Sequence, residues 1–176
     1  MDIPVDLIKN SITYDCVLYT KNRDPAIIQY CESTLVSKNI KYLRFHYGTY
    51  ALQDYLDALK CVKFVVWVGR HESQGFAVQE CLARGIPIYV YDVQTMKDEY
   101  SDRFTYTSHK ENLFATTAPY WSEQCGIKVI SNAEFDTRLD EFITKIPSFD
   151  PASYVRETLS DEICFKRFMA ALAITD

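Results

Sequence analysis

The stretch FVVWVGRHESQGFAVQECLARGIPIYVY, residues 64–91, decides the fold of this chain. It predicts a strand, a loop, a helix and a second strand. Its first five residues, 64–68, are continuously apolar, which is typical of a central strand in a parallel sheet covered on both faces. Gly75 opens the predicted helix, Gly85 ends it, and Ile86–Tyr91 forms the next strand. Open α/β sheets bind ligands beyond the carboxyl ends of their strands, so the loop after residue 68 is the predicted site.

The same alternation of strand and helix occurs upstream. Apolar runs and helical spacing predict Tyr14–Tyr19 as a strand, a helix from Pro25 to about Ser37, Ile40–His46 as a strand and Tyr50–Lys60 as a helix capped by Thr49. Short connections between such units predict a doubly wound parallel sheet with right-handed crossovers. The expected fold class is therefore α/β, a three-layer Rossmann-like domain with helices on both faces of a mainly parallel sheet.

The pattern is less regular after Asp92. We predict a long loop with a short helix over Met96–Tyr100, an extended piece at Thr105–Thr107, strands or a loop and a strand at Phe114–Trp121 and Gly126–Ile130, and an amphipathic helix over Asn132–Ile146. Two further helix starts follow, at Asp150 and Ser160. We predict one domain over 1–176, with a Rossmann-like core at 12–146 and C-terminal helices at 147–176.

Composition excludes several classes of protein. A net charge of −5 and a pI of about 5.2 disfavour a nucleic-acid binder, which normally carries a basic patch. The six cysteines are scattered without zinc-site spacing, which predicts free thiols, no metal site and a reducing, cytoplasmic location. Asp92 and Asp98 do not form a metal-binding motif. The sequence predicts no signal peptide, and it contains no apolar run long enough to span a membrane.

Two carboxylates, Glu72 and Glu80, stand eight positions apart across the predicted loop and helix. Eight helical residues return the chain to within roughly 80° of its starting direction, so both can face one cleft, with Glu80 in the third turn. Glu80 is placed to accept two hydrogen bonds from a ribose diol. The free backbone N–H groups of Gly75, Phe76 and Ala77, at the start of the helix, suit a diphosphate or sugar hydroxyls. Gly75 lacks a side chain, so a ligand can approach the backbone closely.

The run from Glu72 through Gly75 to Glu80, followed by Gly85-Ile-Pro87 before the next strand, resembles the E-x7-E signature of GT-B glycosyltransferases. The resemblance is to their C-terminal, donor-binding Rossmann-like domain. It implies a glycosyltransferase that binds a nucleotide-diphosphate sugar and transfers the sugar to a glycan or other acceptor. It also implies retaining chemistry without metal or cofactor. Glu72 would contact the donor sugar near the reacting carbon, and Glu80 the ribose.

The resemblance extends to cations and loop residues around the phosphates. Family members carry an arginine and a lysine after the first strand, which makes Lys21 and Arg23 candidate diphosphate contacts, although the family's glycine is missing here and the spacing is compressed. A solvated loop before a helix is the alternative for both. The remaining candidates share the loop after residue 68 or the same sheet edge: Arg70, His71, Ser73, Gln74 and His46. His71 could contact phosphate or act in acid/base work beside Glu72.

Complete GT-B enzymes have two Rossmann-like domains with the active site between them. The sequence predicts only the donor-like domain in this chain. Either an N-terminal acceptor domain on the same or another chain is its partner, or the protein is a minimal one-domain form. The alternative function is a non-catalytic nucleotide-sugar-binding module that needs such a partner. An unrelated α/β domain is a third interpretation, but the chain lacks the aspartate of receiver domains after the central strand and the G-x-S-x-G elbow of hydrolases.

Overall fold

A computed structural model describes residues 13–98 and 113–173. Its centre is a sheet of five strands that pair in parallel in the order β2-β1-β3-β4-β5. The strands are β1 (Cys16–Thr20), β2 (Tyr42–His46), β3 (Phe64–Val68), β4 (Ile88–Tyr91) and β5 (Gly126–Val129). The predicted three-layer Rossmann-like α/β fold is confirmed. The strand order reverses between β1 and β3, and such a switch point is where open α/β sheets form their ligand crevice.

Helices cover both faces of the sheet. They are α1 (Pro25–Ser37), α2 (Leu52–Leu59), α3 (Phe76–Ala83), α4 (Asn132–Lys145), α5 (Pro151–Thr158) and α6 (Asp161–Ala173). Short 3-10 turns occupy Met96–Asp98, Glu123–Cys125 and Ile146–Ser148. Asp24 caps α1 by accepting from the Ala26 N–H at 2.8 Å, and Pro25 takes the first helical position.

Strand β3 divides the core into two apolar layers. Val65 and Trp67 point to the layer under α2 and α3, whereas Phe64, Val66 and Val68 point to the layer under α1 and α4. All five side chains are buried, because neighbouring strands and helices enclose β3 on every side. This explains why the strand is a continuous apolar run rather than an alternating one.

Several element boundaries differ from the sequence-based expectations, among them the start of β1, which is Cys16 rather than Tyr14, and the starts of α2, β2 and β4. Helix α2 begins at Leu52, not Tyr50, and the Thr49 hydroxyl donates to the His46 carbonyl at 2.8 Å instead of capping the helix. Strand β2 begins at Tyr42 rather than Ile40, and β4 at Ile88 rather than Ile86. The predicted extended piece at Thr105–Thr107 lies outside the described residues.

Candidate functional site

A cavity of about 410 Å³ opens at the carboxyl end of the sheet, beside the switch point between β1 and β3. Its size lies within the range of small-molecule sites, about 300–1,000 Å³. Eight of the candidate residues line it: Lys21, Glu72, Ser73, Gln74, Gly75, Phe76, Ala77 and Glu80. Aromatic and aliphatic side chains complete the wall: Tyr19, Tyr47, Tyr50, Leu52 and Trp67. The structure therefore brings most of the predicted donor-binding residues into one space.

The two carboxylates of the E-x7-E pattern face this cavity together. Glu72 lies in the loop before α3, and Glu80 is the fifth residue of the helix, because Phe76 is the first. Glu80 thus lies in the second turn, and its predicted position in the third turn is wrong. The helix begins one residue later than predicted, since Gly75 takes a left-handed conformation (φ 67°) that lies outside it.

The Glu80 carboxylate has no hydrogen-bond donor among the described residues. Burial raises its pKa above the usual value for a glutamate, and the nearby Arg84 opposes that rise only in part. Arg84 donates to the backbone carbonyl of Glu80 at 2.8 Å, not to its side chain. Within residues 13–98 and 113–173, the Glu80 carboxylate accepts no hydrogen bond. A half-buried carboxylate of this kind can accept hydrogen bonds from hydroxyl groups of a ligand.

Glu72 is held differently, in an ion pair with Lys21. The Lys21 ammonium donates to Glu72 Oε1 at 2.6 Å, and the two side chains are 9% and 12% exposed. The Tyr47 ring covers the same ammonium, with Nζ 4.1 Å from the ring centroid. The backbone N–H of Lys21 donates to the Val68 carbonyl at 3.1 Å, which ties the loop after β1 to the end of β3.

The beginning of α3 offers backbone donors to the cavity. Gly75 provides no side-chain cap, and in the described part of the chain the N–H groups of Gly75, Phe76 and Ala77 have no protein acceptor. The first turn of α3 is held in place, because the Tyr55 hydroxyl donates to the Ala77 carbonyl at 3.0 Å. A Cβ at position 75 would lie 3.3 Å from Pro119 Cδ in addition to the unfavourable φ. Unpaired amides at a helix start attract anions.

An aromatic stack forms the inner wall. The rings of Tyr19 and Trp67 lie parallel with centroids 4.0 Å apart. The Tyr50 hydroxyl donates to the Tyr19 hydroxyl at 2.8 Å, and the Trp67 indole N–H donates to Thr117 Oγ1 at 3.1 Å. Burial raises the pKa of Tyr19, so its hydroxyl stays neutral. These bonds make the wall rigid.

The sequence-based prediction missed Asp92, which organises the segment behind the site. Asp92 follows β4 and pairs with Lys128 Nζ at 3.0 Å. It accepts from the Thr117 N–H at 2.6 Å and from the Thr116 hydroxyl at 2.9 Å. The Thr116 carbonyl in turn accepts from the Glu72 N–H at 3.0 Å, so this network positions the Glu72 backbone. Only one feature of the sequence pointed to Asp92, namely that it is an acidic residue directly after a predicted parallel strand.

Four other candidates do not line the cavity. Arg23 is 4% exposed and donates to the Asp92 carbonyl at 3.3 Å, with its guanidinium 5.2 Å from the Tyr91 ring centroid. Arg70 and His71 are half-buried in the loop after β3. His46 is exposed at the end of β2, with Nδ1 2.9 Å from Thr20 Oγ1. The contacts expected of these residues with a ligand remain predictions.

The described residues hold no group of three or more His, Cys, Asp or Glu side chains that could bind a metal ion. Nor is any of their helices both long enough and apolar enough to cross a membrane. The fold and the cavity define a Rossmann-like α/β domain with a ligand-sized space at its switch point. Comparisons with models of known protein families and with curated proteins find no match to the chain.

Proposed function

We propose that this chain binds a nucleotide-diphosphate sugar in the cavity and supplies the donor side of a glycosyl transfer. One observation carries the proposal. The half-buried Glu80 carboxylate has no protein hydrogen-bond donor among the described residues, and it shares its cavity with the unpaired amides at the start of α3. The Glu80 carboxylate can accept hydrogen bonds from hydroxyl groups, and the neighbouring amides can donate to an anion. This combination suits a ligand that carries both a ribose diol and a phosphate.

Each part of such a ligand has a counterpart in the cavity. Glu80 accepts from the ribose hydroxyls, and the amides of Gly75–Ala77 with the Lys21 ammonium donate to the diphosphate. Glu72 faces the sugar. The positive end of the α3 dipole and the lysine offset negative charge on the leaving diphosphate.

The rim of the cavity suits a nucleobase. The rings of Tyr47 and Phe76 line it and are 51% and 62% exposed. Aromatic faces stack on any base, by about 1–3 kcal/mol per base, so they add affinity without selecting one nucleotide.

A thermal-shift screen tests the proposal with UDP, GDP, ADP, TDP and their sugars. A ligand at 100 times its dissociation constant stabilises the folded state by about 2.7 kcal/mol. For a chain of 176 residues that corresponds to a rise in Tm of about 5–10 °C. Glu80→Gln should remove most of the rise. Glu157→Gln, which removes one charge from an exposed position on α5, is the matched control and should keep it. No shift with any nucleotide, or an undiminished shift in Glu80→Gln, would refute the proposal.

Binding without transfer is the second candidate function, and the Lys21–Glu72 ion pair favours it. The pair engages Glu72, the carboxylate expected to face the reacting sugar, with a cation at 2.6 Å. A non-catalytic module would bind the nucleotide sugar and release neither free sugar nor nucleoside diphosphate. Product detection by chromatography, with and without a glycan acceptor, separates the two functions.

A further inference from the structure

The Lys21–Glu72 ion pair lies inside the cavity that the ligand is proposed to fill. Both side chains line that cavity, and both are nearly buried, with their charged atoms 2.6 Å apart. A cation in this position is the attractive partner for an anionic ligand. The Glu72 carboxylate already accepts one of the hydrogen bonds that the Lys21 ammonium can donate.

We propose that this ion pair is a latch, in which Glu72 holds the place of a phosphate group at Lys21 until an anion enters and displaces it. The latch rests on the proposed function, since it assigns a regulatory step to the same cavity. Its consequence is an order of events. Glu72 becomes available to the donor sugar only after the phosphate has taken Lys21.

The geometry keeps Lys21 in position when the pair opens. Its backbone N–H is bonded to the Val68 carbonyl, and its ammonium lies 4.1 Å from the Tyr47 ring centroid. Neither contact uses Glu72. The ammonium therefore stays at the cavity wall, where a new anion can take the hydrogen bond that Glu72 gives up.

The exchange favours a phosphate over the carboxylate because of the α3 amides. Glu72 accepts one side-chain hydrogen bond among the described residues, from Lys21. An anion in the cavity can use the same ammonium together with the open N–H groups of Gly75, Phe76 and Ala77. A phosphate monoester carries about −1.5 to −2 charge and three acceptor oxygens. A diphosphate group likewise presents several charged acceptor oxygens, so it can use several donors at once.

Calorimetry with inorganic pyrophosphate tests the latch without the nucleoside. Glu72→Gln removes the competing anion, so its affinity for pyrophosphate should rise by about 10-fold, a factor worth about 1.4 kcal/mol. Glu157→Gln, which removes one charge from an exposed position on α5 outside the cavity, is the control, and its affinity should stay within about 2-fold of the wild type. Glu80→Gln removes the same charge from the same cavity but breaks no bond to Lys21, so it should tighten pyrophosphate binding clearly less than Glu72→Gln does. Lys21→Met should lose most of the binding, and adding Glu72→Gln to it should restore none.

Two results would overturn the latch. One is unchanged or weaker pyrophosphate binding by Glu72→Gln, including no binding by any of the proteins. The other is equal tightening in Glu80→Gln, which would mean that only the net charge of the cavity matters. If Glu72→Gln fails to fold, Glu72→Asp replaces it, since the shorter side chain keeps the charge but reaches less far toward Lys21, and a smaller tightening is then expected.

The thermal-shift screen with nucleoside diphosphates distinguishes a failure of the latch from a failure of the proposed function. Nucleoside diphosphates should bind in a manner that depends on Glu80, whether or not the latch exists. Pyrophosphate should respond to Glu72 and Lys21, whether or not the physiological ligand contains a ribose. If only the Glu80-dependent nucleotide binding is observed, the proposed function is supported and the latch is overturned. If only the response of pyrophosphate binding to Glu72 and Lys21 is observed, the latch is supported and the nucleotide proposal is overturned.

Discussion

Gly69, directly after β3, is a position where one methyl group should disrupt the wall of the site. A Cβ there would lie 2.4 Å from Thr117 Oγ1 and 2.6 Å from Trp67 Nε1. Those two atoms are the partners of a hydrogen bond of 3.1 Å. Favourable contacts lie at about 3.5–4.0 Å, so Gly69→Ala requires displacements of about 1 Å.

Neither neighbour can move easily. Trp67 is buried and stacked on Tyr19, and Thr117 is buried with its N–H bonded to Asp92 at 2.6 Å. Overpacking of such a site costs about 1–3 kcal/mol. Loss of the hydrogen bond leaves the buried indole N–H without an acceptor, which costs about 1–3 kcal/mol more. Gly69→Ala should therefore lower the free energy of unfolding by about 2–6 kcal/mol.

Urea unfolding, followed by tryptophan fluorescence and by circular dichroism, measures this loss. Thr117→Val is the matched variant, because it removes the hydroxyl acceptor and adds no atoms. It should cost only the hydrogen-bond part, about 1–3 kcal/mol. A loss below about 1 kcal/mol in Gly69→Ala, or a loss no larger than that of Thr117→Val, would refute the packing argument.

Three further predictions concern the network behind the site, the Glu80 carboxylate and the sheet edge. Asp92→Asn turns a partner of Lys128 at 3.0 Å into a neutral amide, so the free energy of unfolding by urea should fall by about 3 kcal/mol. The folded-state pKa of Glu80 is raised, so its protonated form favours folding, and that contribution is lost as the pH rises through the folded pKa. Glu80→Gln should therefore flatten this part of the stability–pH curve, measured by urea unfolding across the acidic range, and should not destabilise the protein at neutral pH. Gly126→Ala places a Cβ 2.0 Å from the Ile88 carbonyl oxygen at φ 137°, and it should lower the free energy of unfolding by more than about 4 kcal/mol or prevent soluble expression.

Local patterns were sufficient to predict the sheet and most of its helices. The run 64–68 is β3 with the predicted bounds, since burial on both faces leaves no polar position in it. Helix α1 also spans the predicted residues, because Asp24 and Pro25 specify its start through one hydrogen bond and one fixed φ. Signals of this kind act within a few residues, so they can be recognised without the tertiary structure.

Boundaries without a local signal were harder to predict. Thr49 is a good capping residue by type, but its hydroxyl donates to the His46 carbonyl and the helix begins after Ala51, which makes no side-chain cap. The first turn of α3 is similar, because Gly75 adopts φ 67° and lies before the helix. Glu72 and Glu80 nevertheless face one cavity as predicted, but helical rotation is not the reason, because Glu72 lies in the loop before α3. Its N–H bond to the Thr116 carbonyl and its ion pair with Lys21 hold it there.

The segment between the 3-10 turn at Met96–Asp98 and β5 explains why the rest of the site could not be predicted. In its described part, Thr116 and Thr117 are held by the Asp92 carboxylate, 24 and 25 positions away in sequence. No local periodicity encodes such bonds, and the sequence accordingly left this stretch open between strand and loop. Yet the segment bonds the Glu72 backbone through the Thr116 carbonyl and the Trp67 indole through Thr117. The residues that face the ligand are therefore recognisable from a short motif, whereas their positions depend on a long-range polar network.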